Sequence, residues 1–454
     1  MCRHVSGVII SVVVVQALSG CGPGKPELRL IAEETGKVHP TLQMAPVPFG
    51  LGVNTHFFAG SEKDWSLLAE SGMSIVRTDV AWSRFETSPG RYDHRKHDAL
   101  IEGLERRGMW LLWMIGYGNK LYDPNAVVPA NLGIRNEKAR QASARFCATL
   151  ARRYKGKKII WELWNEPNLT RFWGPKPDPD QYLAWCRAVA AAIREVDPTA
   201  CIVAPGLSRF DFLFLEECFS RGLLDLIDGV TVHPYRGAIE RFPKVVDPKP
   251  QLPRGCHPES VLRDYTRLRR QIERHKPAGK GIPVISGEWG YTTTYVTHEL
   301  QGKYLARQWL ANMAYGVPIS IWYDWCDDGT NPGDMEHNFG TVTNDRKPQP
   351  AYVAAKTLIA QLRGYIVVGR VELASENDFA VVFAKGDARK LAIWTRGEPH
   401  TVELGGGVCV DCAVDHSGKV IDVAKRSRQD VTDAPRYLTL AGPIPEWLTG
   451  PSAD

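Results

Sequence analysis

Two glutamates stand where folding alone gives no reason to place them. In WELWNEPN, Trp161 to Asn168, the apolar pair Ile159 and Ile160 leads into a strand-like run that stops at an amide, a carboxylate and a proline. Proline has no N–H for a central ladder, so Pro167 marks where the backbone leaves the sheet, with Asn165 and Glu166 at the exit. Glu288 closes a second apolar run, VISGEWG. Burying an ionised carboxylate among tryptophans and aliphatics costs on the order of several kcal/mol unless it is paired or changes its protonation. Two carboxyl groups held about 5 to 5.5 Å apart would suit retaining cleavage of a glycosidic bond, one as acid/base and the other as nucleophile.

The elements around them have to bring the two together. From about Gly50, eight apolar runs (FGLGVNTHF, SIVRTDV, WLLWMIG, KIIWELW, CIVAPG, DGVTVHPY, IPVISGEWG and ISIWYDW) alternate with amphipathic helical patterns, several opening on Ser or Asp and closing on Gly. Eight strand–helix units predict a closed (β/α)8 TIM barrel, whose strands present the side chains at their C-terminal ends to one mouth. Glu166 follows the fourth run and Glu288 ends the seventh, so the two converge across that mouth. The last helical pattern ends near Gly364, giving a catalytic domain over 47–364. Beyond it YIVVGRVEL, FAVVFAKG, KLAIWTR, HTVELGG, VCVDCAV and YLTLAG alternate with turn signals, which predicts a small C-terminal β-sandwich over 365–448.

The first residues read as a leader. Arg3 precedes VSGVIISVVVVQAL, a run too short to span a bilayer comfortably, and LSGC follows at Leu18 to Cys21. This resembles a bacterial lipobox, which implies a signal peptide over 1–21, acylation of Cys21 and anchoring to the cell envelope. Gly22 in place of Asp points to the outer membrane, and an ordinary cleaved signal is the alternative. Residues 22–46 read as a linker that lets the barrel stand off the membrane. A formal net charge of +5 over 454 residues, with no long Lys/Arg run, argues against nucleic acid as a partner. Cys147, Cys186 and Cys218 fall on helical patterns as small core residues. Cys409 and Cys412 form a lone CVDC on a strand, where residues three apart point to opposite faces, so a structural role outweighs a metal site.

WNEPN after the fourth strand and a glutamate ending the seventh resemble clan A of the glycoside hydrolases. With RTDVAWSRFE at the second strand and HPY at the sixth, the chain most resembles glycoside hydrolase family 39, and WNEPNLTRFWGPKPDP resembles the matching stretch of a biofilm-exopolysaccharide hydrolase. The resemblance implies Glu166 as acid/base, Glu288 as nucleophile, and Arg77 and Tyr235 as donors around the nucleophile. It implies that Asn165 bonds the sugar 2-OH; a turn cap is the plain alternative, as a barrel salt bridge to Glu162 is for Arg77. An acid has to hold its proton near neutral pH while the nucleophile stays ionised. Trp164, Trp289 and Trp322 also lie near strand ends, but Trp173, on the loop, and Trp325, by alternation in IWYDWCDD, are the preferred sugar platforms. His56, His233 and Glu336 are further candidates for sugar contact.

These readings converge on a lipid-anchored, retaining, endo-acting hydrolase of polysaccharide. The alternatives are an exo-acting β-xylosidase-like enzyme on oligosaccharides and a carbohydrate-binding barrel without catalysis. No cofactor is implied, and no His-x-His pair ends the first strand to suggest a catalytic metal.

Overall fold

The computed structural model describes residues 27–31, 34–57, 60–126, 133–236, 256–405, 407–423, 427–445 and 448. Cys21 and the leader lie outside them. No helix among the described residues is long and apolar enough to cross a membrane.

All eight expected strands form: β1 (Leu51–Asn54), β2 (Ile75–Ala81), β3 (Trp110–Gly116), β4 (Ile159–Leu163), β5 (Cys201–Ser208), β6 (Gly229–His233), β7 (Val284–Trp289) and β8 (Ser320–Trp322). They pair in parallel, each with its neighbour in sequence, and β8 closes on β1. The outer ring is α1 (Glu62–Ser71), α2 (Arg95–Glu105), α3 (Glu137–Arg153), α4 (Pro179–Val196), α5 (Phe212–Ser220), α6 (Leu262–His275), α7 (His298–Ala314) and α8 (Pro350–Leu362). Caps explain several starts: Ser61 and Asp64 form a reciprocal capping box on α1, and Asn136, Asp178 and Thr297 accept from the first turns of α3, α4 and α7. Cys147, Cys186 and Cys218 are buried on α3, α4 and α5, as their patterns required.

Period-two alternation divides the barrel interior into layers. Ile75, Leu112, Ile160, Ile285 and Ile321 form an apolar floor with Leu42. Two residues on, the same inward rows carry Arg77, Met114, Glu162 and Gly287, so the layer under the mouth is polar.

The C-terminal β-sandwich has one large sheet built on β9 (Ile366–Glu372), β10 (Asp378–Lys385), β11 (Ala388–Thr395), β12 (Cys409–Asp415), β13 (Val420–Ile421) and β14 (Arg436–Ala441). His400–Glu403 pairs with Arg428–Val431 in a smaller sheet. Val371, Val382, Leu391, Val402, Val431 and Leu438 share the core between them. Two expectations need correction. The register of β12 against β14 slips between Val410 and Cys412, setting Cys409 opposite Ala441 and Cys412 opposite Thr439. Those partners lie two apart, so the bulge turns both cysteines to one face, where plain alternation had separated them. Both are free thiols.

The second correction concerns the linker. Glu27–Leu30 is the edge strand of the large sheet, antiparallel to β9, and Lys37–Val38 pairs with Lys280–Gly281 just ahead of β7. Leu42 then seals the barrel floor at 1 % exposure. Ladder hydrogen bonds and an apolar side chain, invisible in a polar composition, make this stretch a strap across both domains.

Candidate active site

The WNEPN turn owes its shape to two residues in the left-handed region: Trp164 at φ 77° and Glu166 at φ 48°. Non-glycine residues there cost on the order of 1–3 kcal/mol and persist where surrounding structure holds them. The Glu166 N–H donates to Gly206 O at 2.8 Å, and Asn168 exchanges side-chain bonds with the Ser208 backbone, tying the turn to β5. The Glu166 carboxylate is thereby delivered over the barrel axis, facing Glu288 from β7.

Arg77 organises the layer beneath. Its guanidinium, 3 % exposed, donates to Glu162 Oε2 (2.6 Å), Glu288 Oε2 (2.7 Å), Asn54 Oδ1 (3.1 Å) and Asn165 Oδ1 (2.9 Å). The barrel salt bridge and the donor to the nucleophile, weighed as alternatives from the sequence, are the same side chain. Because Asn165 spends its oxygen on Arg77, its amide NH2 is left to donate into the cleft. Tyr235 Oη donates to the other Glu288 oxygen at 2.8 Å. Burial alone would raise the Glu288 carboxyl, but the neighbouring His233 ring, the Arg77 guanidinium and the Tyr235 hydroxyl outweigh it and hold the group below the ordinary glutamate value. Glu166 has different company: Oε1 meets His233 Nδ1 at 3.1 Å. One ligand atom each from Glu166, His233 and Glu288 lie within 4.8 Å of one another.

The two carboxylates sit in a cleft of about 680 Å³ that also takes in Asn54, His56, Arg77, Asp79, Tyr117, Asn165, Phe172, Tyr235, Tyr323 and Glu336. All eight strands supply side chains at or just past their ends to this mouth or the layer under it. Arg171 and Arg209 line it on the β4–β5 side, and His56, Tyr323, Glu336 and Phe339 on the β1–β8 side. Carboxylates crowd the second side: burial pushes Asp324 well above its ordinary value, while the partners Asp328 and Asp324 overcome burial and push His56 up to about 9. Another cavity, about 690 Å³, opens beside Arg29, Arg269, Tyr315, Arg370 and Phe379; it contains neither carboxylate of the pair.

Three expected sugar contacts are not in the cleft. Trp173 is fully buried, packed edge-on against Trp164 at 4.8 Å between ring centroids. Trp325 is 1 % exposed and donates Nε1 to Asp64 Oδ1. Regular alternation failed because β8 ends at Trp322 and the chain then turns, which gives the cleft Tyr323; likewise Phe172, not Trp173, faces it. His233 is wholly buried beneath Glu166. Sequence reasoning missed Tyr117, whose signal was its position directly after the third strand, and Asn54 at the end of the first.

A sequence model of the family Cellulase (glycosyl hydrolase family 5) matches residues 45–329. A β-xylosidase of Geobacillus stearothermophilus is 24% identical over 210 residues, 43% of this chain and 40% of that protein, so the match spans well under half of the relative's length. Among solved structures, a family 39 glycoside hydrolase from the gut symbiont Bacteroides cellulosilyticus WH2 superposes with a TM-score of 0.73 at 25% identity, over 87% of this chain and 81% of the other. A monomeric β-xylosidase from Caulobacter crescentus CB15 shares the fold, with a TM-score of 0.65 at 18% identity over 90% of this chain and 99% of its own.

Proposed function

Because this chain belongs to the cellulase family, glycosyl hydrolase family 5, and is an O-glycosyl hydrolase of clan A, we propose that it cleaves polysaccharide internally with retention, Glu288 as nucleophile and Glu166 as acid/base. The observation that carries the reading is the carboxylate pair itself, with oxygens within 4.8 Å and unlike surroundings. That spacing suits direct attack by Glu288 and leaves too little room for a water between carboxylate and sugar. Glu288, held ionised, attacks the anomeric carbon while Glu166 protonates the departing oxygen. Glu166 then takes a proton from the water that cleaves the glycosyl ester. Asn165 is aimed to donate to the 2-OH.

Internal cleavage is supported by side chains lining the cleft on both flanks of the pair, Leu169 to Phe172 and Arg209 on one, His56, Tyr323 and Phe339 on the other. Bacterial exopolysaccharide is the proposed substrate, on the resemblance of the stretch around Glu166. Exo-acting β-xylosidase activity is the second reading, favoured by relatives of that name. The deciding experiment incubates the enzyme with a panel of bacterial exopolysaccharides and with xylo-oligosaccharides and resolves product lengths. Long fragments early in the reaction are expected; release of xylose alone would favour the second reading. Acylation of Cys21 and residence on the envelope belong to the same proposal.

A further inference from the structure

Two atoms in the polar layer under the catalytic pair meet no partner. Glu162 gives Oε2 to Arg77, while its Oε1 is buried and unbonded. His233 turns Nδ1 to Glu166, while its Nε2 is equally buried and unbonded. Buried orphans of this kind are costly, so two in one place call for an explanation. Both face one spot. A methyl carbon on Gly287 would lie 3.0 Å from Glu162 Oε1 and 3.5 Å from His233 Nε2. Glycine at this position keeps side-chain carbon out of the space between two polar atoms, a setting suited to a single buried water.

We propose that a water lodged against Gly287 bridges Glu162 Oε1 and His233 Nε2, making Glu162 a positioning residue for the general acid. This rests on the reading of Glu166 as acid/base. The water donates one hydrogen to the Glu162 carboxylate and, once the ring has given up the positive charge that helps hold Glu288 ionised, the other to Nε2, which leaves the ring as the Nδ1–H tautomer. Nδ1–H donates to Glu166 Oε1, so the proton of Glu166 resides on Oε2, the oxygen turned to the leaving group. The opposite tautomer would make Nδ1 an acceptor and draw that proton onto Oε1, out of reach of the glycosidic oxygen. During cleavage the Oε2 proton passes to the departing oxygen, which takes the electron pair of the broken C–O bond. Nδ1–H stays on the ring and steadies the carboxylate left behind. In the second step Oε2 collects a proton from the attacking water, and the acid is restored.

Gly287→Ala fills the spot while keeping every catalytic group. On aryl glycosides that the wild type hydrolyses, kcat/KM should fall about 10-fold or more for a phenyl glycoside, which needs the acid, and change less than about 2-fold for the dinitrophenyl glycoside, which does not. In ¹⁵N spectra of histidine-labelled protein, His233 should be Nδ1–H in the wild type and shift toward Nε2–H in the variant. Equal losses on both leaving groups, or an unchanged ring signal, would overturn the bridge. Crystals of the wild-type protein give a measurement that needs no variant: one water within about 3.2 Å of both atoms is expected, and empty density there sinks the proposal. Should the wild type cleave no glycoside at all, the glycosidase reading fails, while spectra and crystal still decide the bridge.

Discussion

Removing either carboxylate separates their proposed roles. Glu288→Ala should abolish turnover of every glycoside, because no glycosyl ester can form. Glu166→Ala should keep its first step on substrates whose leaving group departs unaided, then stall, with a loss of about 10²-fold or more in the base-requiring step. Azide should rescue it and yield a glycosyl azide of retained configuration; an inverted azide from Glu166→Ala would reverse the assignment. His56 offers a second residue-scale test. Its folded value, about 9, lies above the ordinary 6.5, so the stability its charged form gains, chiefly from Asp328 at 3.0 Å, is fully present below 6.5 and is lost as pH rises through about 9. An NMR titration should find the midpoint near 9, and a midpoint near 6.5 would contradict the ion pairing. Residues whose chemistry is costly to bury were legible in the sequence: Glu166, Glu288, Arg77, Asn165 and Tyr235 all reach the mouth or bear on it. Trp173 and Trp325 were not. A tryptophan is as good a core residue as a sugar platform, and only the turns after β4 and β8 decide which it becomes.

At the scale of elements, the strands were readable because each is an apolar run bounded by turn residues. The helices with mixed faces were equally plain, α5 included, where Phe214, Leu215, Cys218 and Phe219 share the buried side. What holds barrel to sandwich was not legible at all. Glu259, just ahead of α6, takes two bonds from Arg307 on α7, at 2.7 and 2.8 Å, and a third at 2.6 Å from Trp394 Nε1 on β11. These partners are far apart in sequence and fully buried, so no local pattern announces them. Burial would raise the Glu259 carboxyl, but Arg307 outweighs it and holds the group well below its ordinary 4.5. Its stabilising share is therefore complete above about 4.5 and is lost as pH falls below that toward the folded value. Arg307→Ala leaves a buried charge unpaired and should cost about 3–5 kcal/mol, seen as a lower thermal midpoint at neutral pH. A midpoint equal to that of the wild type would show that the seam does not depend on this pair.

The whole molecule is a barrel and a sandwich laced together by the strap at residues 27–42, which composition had presented as a passive spacer. With Cys21 as the proposed acylation site, Cys21→Ala should move the protein from the detergent-soluble membrane fraction to the aqueous one; unchanged partitioning would remove the anchor from the proposal. The strap also imposes an order in time. Glu27 pairs with Glu372 and Leu30 with Gly369, so the first of the described strands has no place to go until β9 has been made. The barrel can close on contacts between neighbours, whereas this edge strand waits as the longest loop closure among the described residues. This strap, early in the sequence, is thus among the last parts of the fold to be fixed.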